Sequence, residues 1–203
     1  MMMPTEQYRS LVRDFTRHTR GRMHIAVQVT DHSAPRVLDN ICKAREDGAD
    51  IAVVAQPLFF MNATERRLED YYLEIFDNSP LPIGLYDRGA HSANALTPTI
   101  LTNLLKHPRV VLVKDSSSSS LHMQAAFKAR EARPELTLLS GDEFTTAEYM
   151  LAGYDGLMLG GAIFNSWTNY YGYPLTPECE RNIKQLVREE GARLLGKDST
   201  EDI

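Results

Sequence analysis

Lys114 is the residue whose type and setting point most directly to chemistry. It follows Val110-Val111-Leu112-Val113, an apolar run that reads as a strand buried on both faces, and it precedes Asp115 and the serines Ser116 to Ser120. At the C-terminal end of such a strand the four-carbon stem of the lysine lies in apolar surroundings. Desolvation disfavours the ammonium form, so a site of this kind lowers the lysine pKa toward that of a nucleophilic amine. Such an amine condenses with a carbonyl carbon to give a Schiff base. The plainer alternative is a strand-end lysine that simply reaches solvent; the flanking pattern favours the catalytic reading.

The elements that must position this lysine alternate along the chain. A helix is expected over Glu6 to His18, with Leu11, Val12 and Phe15 on one face, ending at Gly21. His24 to Val29 reads as a strand. Ser33 caps a helix with Pro35 in its first turn, an apolar stripe of Leu38, Ile41 and Cys42, and Gly48 as its stop. Ile51 to Ala55 is the second strand, followed by the apolar loop Pro57 to Met61. Asn62 with Glu65 resembles a capping box and opens a helix through about Asp77. Ile83 to Tyr86 is the third strand. Thr97-Pro98 opens a helix with Leu101, Leu104 and Leu105 inward, and His107-Pro108 closes it before the lysine strand. A helix over Leu121 to Ala132, a strand over Thr137 to Ser140, a short helix over Thr145 to Ala152 and a strand over Gly156 to Leu159 follow. A C-terminal helix occupies residues 175–197.

Strand–helix units of about 30 residues, with continuous rather than alternating apolar strands, predict a parallel sheet covered by helices. The functional-looking residues fall at strand C-terminal ends: Gln56-Pro57, Tyr86-Asp87, Lys114-Asp115, Gly141-Asp142 and Gly160-Gly161. That end is the active face of (β/α)8 barrels and of open doubly wound sheets. The first strand is not followed by a G-x-G-x-x-G fingerprint, so a dinucleotide fold is unsupported. Six units are counted, where a complete barrel needs eight strands and about 250 residues. The expected architecture is a single, incomplete TIM-barrel domain over residues 1–203.

The totals exclude several function classes. A net charge of −5 with no basic run argues against nucleic acid and anionic membranes. No hydrophobic segment approaches the roughly 20 residues that span a bilayer, and the N-terminus lacks the apolar core of a signal peptide. The two cysteines, Cys42 and Cys179, are far apart, and Cys42 reads as a small core residue. A reducing, cytoplasmic location fits. The histidines show no metal-ligand spacing with one another or with the cysteines.

Pro80-Leu81-Pro82-Ile83-Gly84-Leu85-Tyr86-Asp87, Leu96-Thr97-Pro98, His107-Pro108, Val113-Lys114-Asp115-Ser116-Ser117 and Leu139-Ser140-Gly141-Asp142 occur in an order and spacing that resemble the dihydrodipicolinate synthase / N-acetylneuraminate lyase family. These are pyruvate-dependent class I aldolases on a TIM barrel. The resemblance runs from about Met3 to about Asn165. It implies a lyase in which Lys114 forms the Schiff base with pyruvate or another 2-oxo acid and Tyr86 shuttles protons at the carbon–carbon bond. It implies no metal or organic cofactor, a small-molecule partner and a homo-oligomer. Gly141, Gly160, Gly161 and Ile163 correspond to backbone lining the pyruvate pocket, and amides opening a helix after Gly161 would hold a carboxylate.

The departures from the family pattern are equally specific. Its first two strands, including the Gly-Thr-Thr-Gly-Glu type loop that binds the pyruvate carboxylate, have no counterpart, and the chain begins where the helix after the second strand should be. The tyrosine often contributed by a neighbouring subunit falls on Leu58-Phe59-Phe60, which carry no hydroxyl. The Asn-x-Pro after the strand tyrosine is replaced by Asp87-Arg88-Gly89, which is more similar to members acting on sugar acids. The arginine that some members use for a substrate carboxylate aligns near His91, with Arg88 close by.

Other readings remain open at this stage. Tyr86 could be a packed core tyrosine; His91 and Ser92 read more simply as loop residues; Ser116 to Ser120 as a polar helix start; and Asp142-Glu143 as the negative start of a helix. The aromatic cluster Trp167, Tyr170, Tyr171 and Tyr173 reads as a packed or subunit-facing patch. The competing functions are a catalytically impaired barrel remnant that binds or oligomerises, and a phosphate-binding barrel enzyme using Gly160-Gly161.

Overall fold

The structure is a computed structural model that describes residues 3–19, 21–57, 63–160, 181 and 185. Helices and strands alternate as α1 (Thr5–Thr19), β1 (Ala26–Gln28), α2 (Ala34–Glu46), β2 (Ile51–Ala55), α3 (Glu65–Asn78), β3 (Ile83–Asp87), α4 (Pro98–Leu105), β4 (Val110–Asp115), α5 (Ser120–Ala132), β5 (Thr137–Ser140), α6 (Thr146–Ala152) and β6 (Gly156–Leu157). In the first unit the strands β1, β2, β3 and β4 lie side by side in chain order. The pairs β1–β2, β2–β3 and β3–β4 are parallel. The chain forms two compact units, Met1–Leu139 and Ser140–Ile203.

In the first unit the strand face carrying Val27, Val29, Ala52, Val54, Ile83, Leu85 and Val113 is almost completely excluded from water. Strand side chains alternate, so this face meets the helices and the opposite face carries Val53, Gly84 and Leu112. Large side chains of α3, including Tyr72, Ile75 and Phe76, and Ile100, Leu101, Leu104 and Leu105 of α4 complete the core. The Tyr72 hydroxyl is buried and has no hydrogen-bond partner among the described residues. Local chemistry sets the helix starts: Thr64 and Thr97 accept backbone N–H groups from Arg67 and Ile100. The start of α3 differs from the Asn62–Glu65 expectation, because Thr64 is its cap.

Two helix faces differ from expectation. In α2 the inward stripe is Ala34, Val37, Ile41 and Ala44, while Leu38 is half-buried and Cys42 is exposed. The alanines carry little hydrophobic signal but allow close approach to the sheet, which rotates the buried face away from Cys42. In α1 only Val12 and Thr19 are buried; Leu11 and Phe15 are 42% and 58% exposed.

Polar contacts fix α1 instead. Arg9 grips Asp47 with two nitrogens at 2.7 and 2.9 Å, and Arg13 reaches the same carboxylate at 3.0 Å. The guanidinium of Arg9 holds the Asp47 carboxyl below the usual range, against the opposing effect of burial, and Arg13 adds to this. Gly48, at φ +95°, lies where a Cβ would be 2.5 Å from Thr16 Cγ2. It therefore supplies both the left-handed turn and the close approach of α1 to the end of α2. On the outer edge of β1 the Tyr8 hydroxyl donates to the Gln28 carbonyl at 2.6 Å, and the Gln28 side chain accepts from the Thr30 N–H at 3.2 Å.

In the second unit the Ser140 carbonyl accepts from the Met158 N–H at 2.8 Å. Helix α6 ends at Gly153, at φ +103°, and Tyr149 packs edge-on against Tyr154. The expected helix over 175–197 lies outside the described residues except for Arg181 and Gln185, both helical.

Candidate active site

Tyr86 and Lys114 are register partners on β3 and β4. Neighbouring parallel strands lie about 4.8 Å apart, so side chains at opposed positions on one face are forced side by side. Both residues are half-buried. The Lys114 Nζ stands 4.3 Å from the centroid of the Tyr86 ring, over its face. Ala55 of β2 occupies the same row beside Tyr86. Two residues earlier on this face, a Cβ on Gly84 would come within 2.8 Å of Leu112 Cδ1 and 3.2 Å of Val53 Cγ2. The layer beneath the pair is thus closed by Val53 and Leu112.

Asp87 and Asp115, the next residues on each strand, point to the opposite face and are 0% and 1% exposed. Asp87 Oδ1 accepts from Gln56 Nε2 and from the Gly89 N–H, each at 2.9 Å, while its Oδ2 lies 2.5 Å from His122 Nδ1 of α5. The hydrogen bond to Asp87 raises the His122 pKa against the opposing effect of burial; the Asp87 and Asp115 charges add to the rise. Gln56 Oε1 accepts from the Arg88 N–H, and the Asp87 carbonyl accepts from the Ser116 N–H at 2.8 Å. Asp115 accepts from the Ser117 N–H at 2.9 Å. Gly89, at φ +51°, packs where a Cβ would lie 2.5 Å from Ser117 Cβ and 2.8 Å from its Cα. The ends of β2, β3 and β4 are therefore interlocked behind the pair. This support was not read from the sequence; the available signal was the Asp after both Tyr86 and Lys114.

A cavity of about 990 Å³ reaches Tyr86 and Arg88 and is also bordered by Tyr8, Gln28, Thr30 and Gln56. Lys114 does not line it. Arg88 is half-buried and precedes a short 3-10 turn, Gly89–His91. His91, at the end of that turn, is exposed and is not among the residues lining the cavity. The Ser116 hydroxyl, one pleat beyond Lys114, is buried without a hydrogen-bond partner among the described residues. In the sequence Ser116 belongs to the Val113–Ser117 motif and to a serine run that reads mostly as a polar loop and helix start, with a phosphate cradle as the weaker alternative.

Gly141 and Gly160 belong to the second unit. There Asp142 accepts from the Phe144 N–H at 2.8 Å and from the Thr145 hydroxyl at 2.7 Å, so it caps the turn into α6. A Cβ on Gly160 would stand 3.1 Å from Glu143 Oε1. Gly161, Ile163, Leu58-Phe59-Phe60 and the Trp167–Tyr173 cluster lie outside the described residues. Among the described residues no group of three His, Cys, Asp or Glu side chains is placed to hold a metal ion, and no helix is long and apolar enough to cross a membrane.

Known proteins share both the sequence and the fold. A curated 4-hydroxy-tetrahydrodipicolinate synthase of Xanthomonas campestris is 28% identical over 153 residues, covering 75% of this chain and 50% of that protein. A probable 2-dehydro-3-deoxy-D-pentonate aldolase of Escherichia coli is 27% identical over 164 residues, covering 80% and 54%. The chain thus spans about half the length of the curated relatives it matches. The structure of dihydrodipicolinate synthase from Bacteroides thetaiotaomicron is 25% identical, with a TM-score of 0.75 over 94% of this chain and 65% of that one. A monomeric dihydrodipicolinate synthase variant, 17% identical, superposes with a TM-score of 0.81 over 98% and 68%. The fold is accordingly an incomplete TIM barrel, to which the described residues contribute six strands. The profile of the Dihydrodipicolinate synthetase family matches residues 1–170, and the chain belongs to that family.

Proposed function

We propose that the protein is a Schiff-base-forming lyase acting on pyruvate or a 2-oxo sugar acid. Enzymes of its family use a covalent lysine–pyruvate Schiff base and need no cofactor. The observation that carries the reading here is the Lys114–Tyr86 pair, with Nζ 4.3 Å from the ring centroid at the C-terminal ends of adjacent strands.

The neutral amine of Lys114 attacks the C2 carbonyl carbon, and loss of water leaves a protonated imine. In the cleavage direction the C4 hydroxyl gives up its proton through the Tyr86 hydroxyl, and the C3–C4 bond breaks. Its electron pair moves into the iminium to give an enamine, and an aldehyde departs. Protonation at C3 and hydrolysis then release pyruvate and the free lysine. Condensation is the same sequence in reverse.

Arg88 and His91 are proposed to meet the distal part of the substrate, with the Ser116 hydroxyl as a further donor on the lysine face. Gly141, Gly160, Gly161 and Ile163 are proposed to present backbone to the 2-oxo acid. The protein is proposed to act in the cytoplasm as a homo-oligomer.

The test is pyruvate release from a panel of 2-keto-3-deoxy sugar acids, read by coupled reduction of the pyruvate formed, together with condensation of pyruvate with aldehydes. Turnover of at least one substrate that disappears in Lys114→Ala supports the lyase. Equal rates in the wild type and in Lys114→Ala would reject it.

A further inference from the structure

The polar cluster behind the strand ends contains a buried titratable group that the proposed chemistry does not use. His122 sits in the first turn of α5 and is 8% exposed, with Nδ1 2.5 Å from Asp87 Oδ2. Asp87 is wholly buried and lies between Tyr86 and Arg88 in the chain. Its second carboxylate oxygen takes the Gln56 amide and the Gly89 N–H, and its carbonyl takes the Ser116 N–H. One carboxylate residue therefore ties together the ends of β2, β3 and β4. The described titratable group bonded to that carboxylate is the imidazole of His122, and the other charge acting on His122 is that of Asp115 on β4.

We propose that His122 is a positioning residue for the lyase site: through Asp87 it fixes the end of β3, and with it the Tyr86 hydroxyl and the Arg88 turn, relative to Lys114. The proposal rests on the lyase reading for its catalytic consequence and on the hydrogen-bond geometry for its structural one. Loss of the imidazole leaves the buried Asp87 Oδ2 without the partner seen at 2.5 Å, which is unfavourable at a fully buried position and shifts the carboxylate. That shift loosens the acceptor that holds the Gly89 N–H and the Gln56 amide. Small displacements of a proton-transfer group lower turnover more than they lower binding of the smallest substrate.

Two variants separate geometry from bulk packing. His122→Ala removes the donor, whereas His122→Asn places an amide nitrogen near the former Nδ1. With pyruvate as probe, borohydride-trapped adduct on Lys114 is followed against time and pyruvate concentration. For His122→Ala the expected result is a limiting rate at least tenfold lower, a half-saturating pyruvate concentration changed less than threefold, and recovery of most of the rate in His122→Asn. Amide hydrogen exchange is measured on the same three proteins without substrate. Faster exchange confined to peptides covering 87–93 and 115–119 in His122→Ala, with protection regained in His122→Asn, is expected.

Wild-type trapping rates in His122→Ala, or an Asn variant as poor as the Ala variant, would overturn the proposal. If the wild type forms no adduct, the lyase reading fails, and the exchange data alone then decide whether His122 positions these strand ends. Unchanged exchange in His122→Ala, or loss of protection throughout the first unit, would overturn it.

Discussion

The Lys114 Nζ stands over the face of the Tyr86 ring, 4.3 Å from its centroid, because the two residues are register partners on parallel strands β3 and β4. The relationship separates two properties of Tyr86: its ring faces the cation and its hydroxyl is available for proton transfer. Tyr86→Phe keeps the first and removes the second. The variant is expected to reach full pyruvate adduct on Lys114, but more slowly than the wild type because the hydroxyl also serves the proton transfers of imine formation, while turnover falls by about 10²–10⁴-fold, the usual contribution of a positioned acid–base group. Adduct mass measured beside steady-state rate checks this. No adduct even at long times would show that the position of the Tyr86 ring, and not only its hydroxyl, is needed beside Lys114.

The layer below the pair predicts a packing effect. In Gly84→Ala the new methyl meets Leu112 Cδ1 at 2.8 Å, the far end of a side chain that can rotate. A loss of about 1–3 kcal/mol in denaturant unfolding is expected. Gly89→Ala is the more disruptive change, since its Cβ meets the Ser117 backbone at 2.8 Å and the residue sits at φ +51°. It is expected to lower activity as well as stability, because the Arg88 turn must move.

Asp47 gives a prediction in acid. Its folded pKa is depressed, chiefly by Arg9, so the stabilisation is present above the unfolded carboxylate value of about 4. It is lost as pH falls through the lower folded value. Asp31, held at about 2 chiefly by Arg36, acts in the same direction. Asp47→Asn is expected to cost about 1 kcal/mol or less at neutral pH, because the arginine partners keep access to water. It should also flatten the stability profile below about pH 4. An unchanged profile would mean that Asp47 does not hold α1.

His122 behaves oppositely. Its folded pKa is raised, so the stabilisation is complete below the unfolded value of about 6.5 and is lost as pH rises through the folded value. Urea midpoints are expected to fall on that alkaline side in the wild type, and the contribution of His122 to that fall should vanish in His122→Asn.

Much of this was legible in the sequence. Continuous apolar strands, Thr97-Pro98 and His107-Pro108 located β3, α4 and β4, and the strand-end positions of Tyr86 and Lys114 followed. Helix faces were harder to read. The inward residues of α2 include Ala34 and Ala44, which contribute little to an apolar stripe, so Leu38 and Cys42 were placed inward in their stead. In α1, Leu11 and Phe15 read as core, but ion pairs from Arg9 and Arg13 to Asp47 hold the helix with both side chains exposed. The His122–Asp87–Gln56 cluster joins residues 31 and 35 positions apart, a separation at which no local pattern signals contact.

Lys114 is proposed as the Schiff-base nucleophile. Borohydride reduction in the presence of pyruvate, followed by mass analysis of the intact protein and its peptides, tests it directly. One reduced pyruvate per chain is expected, located on the peptide containing Lys114 and absent in Lys114→Ala. No adduct with pyruvate or with longer 2-oxo acids, or an adduct retained in Lys114→Ala, would contradict it.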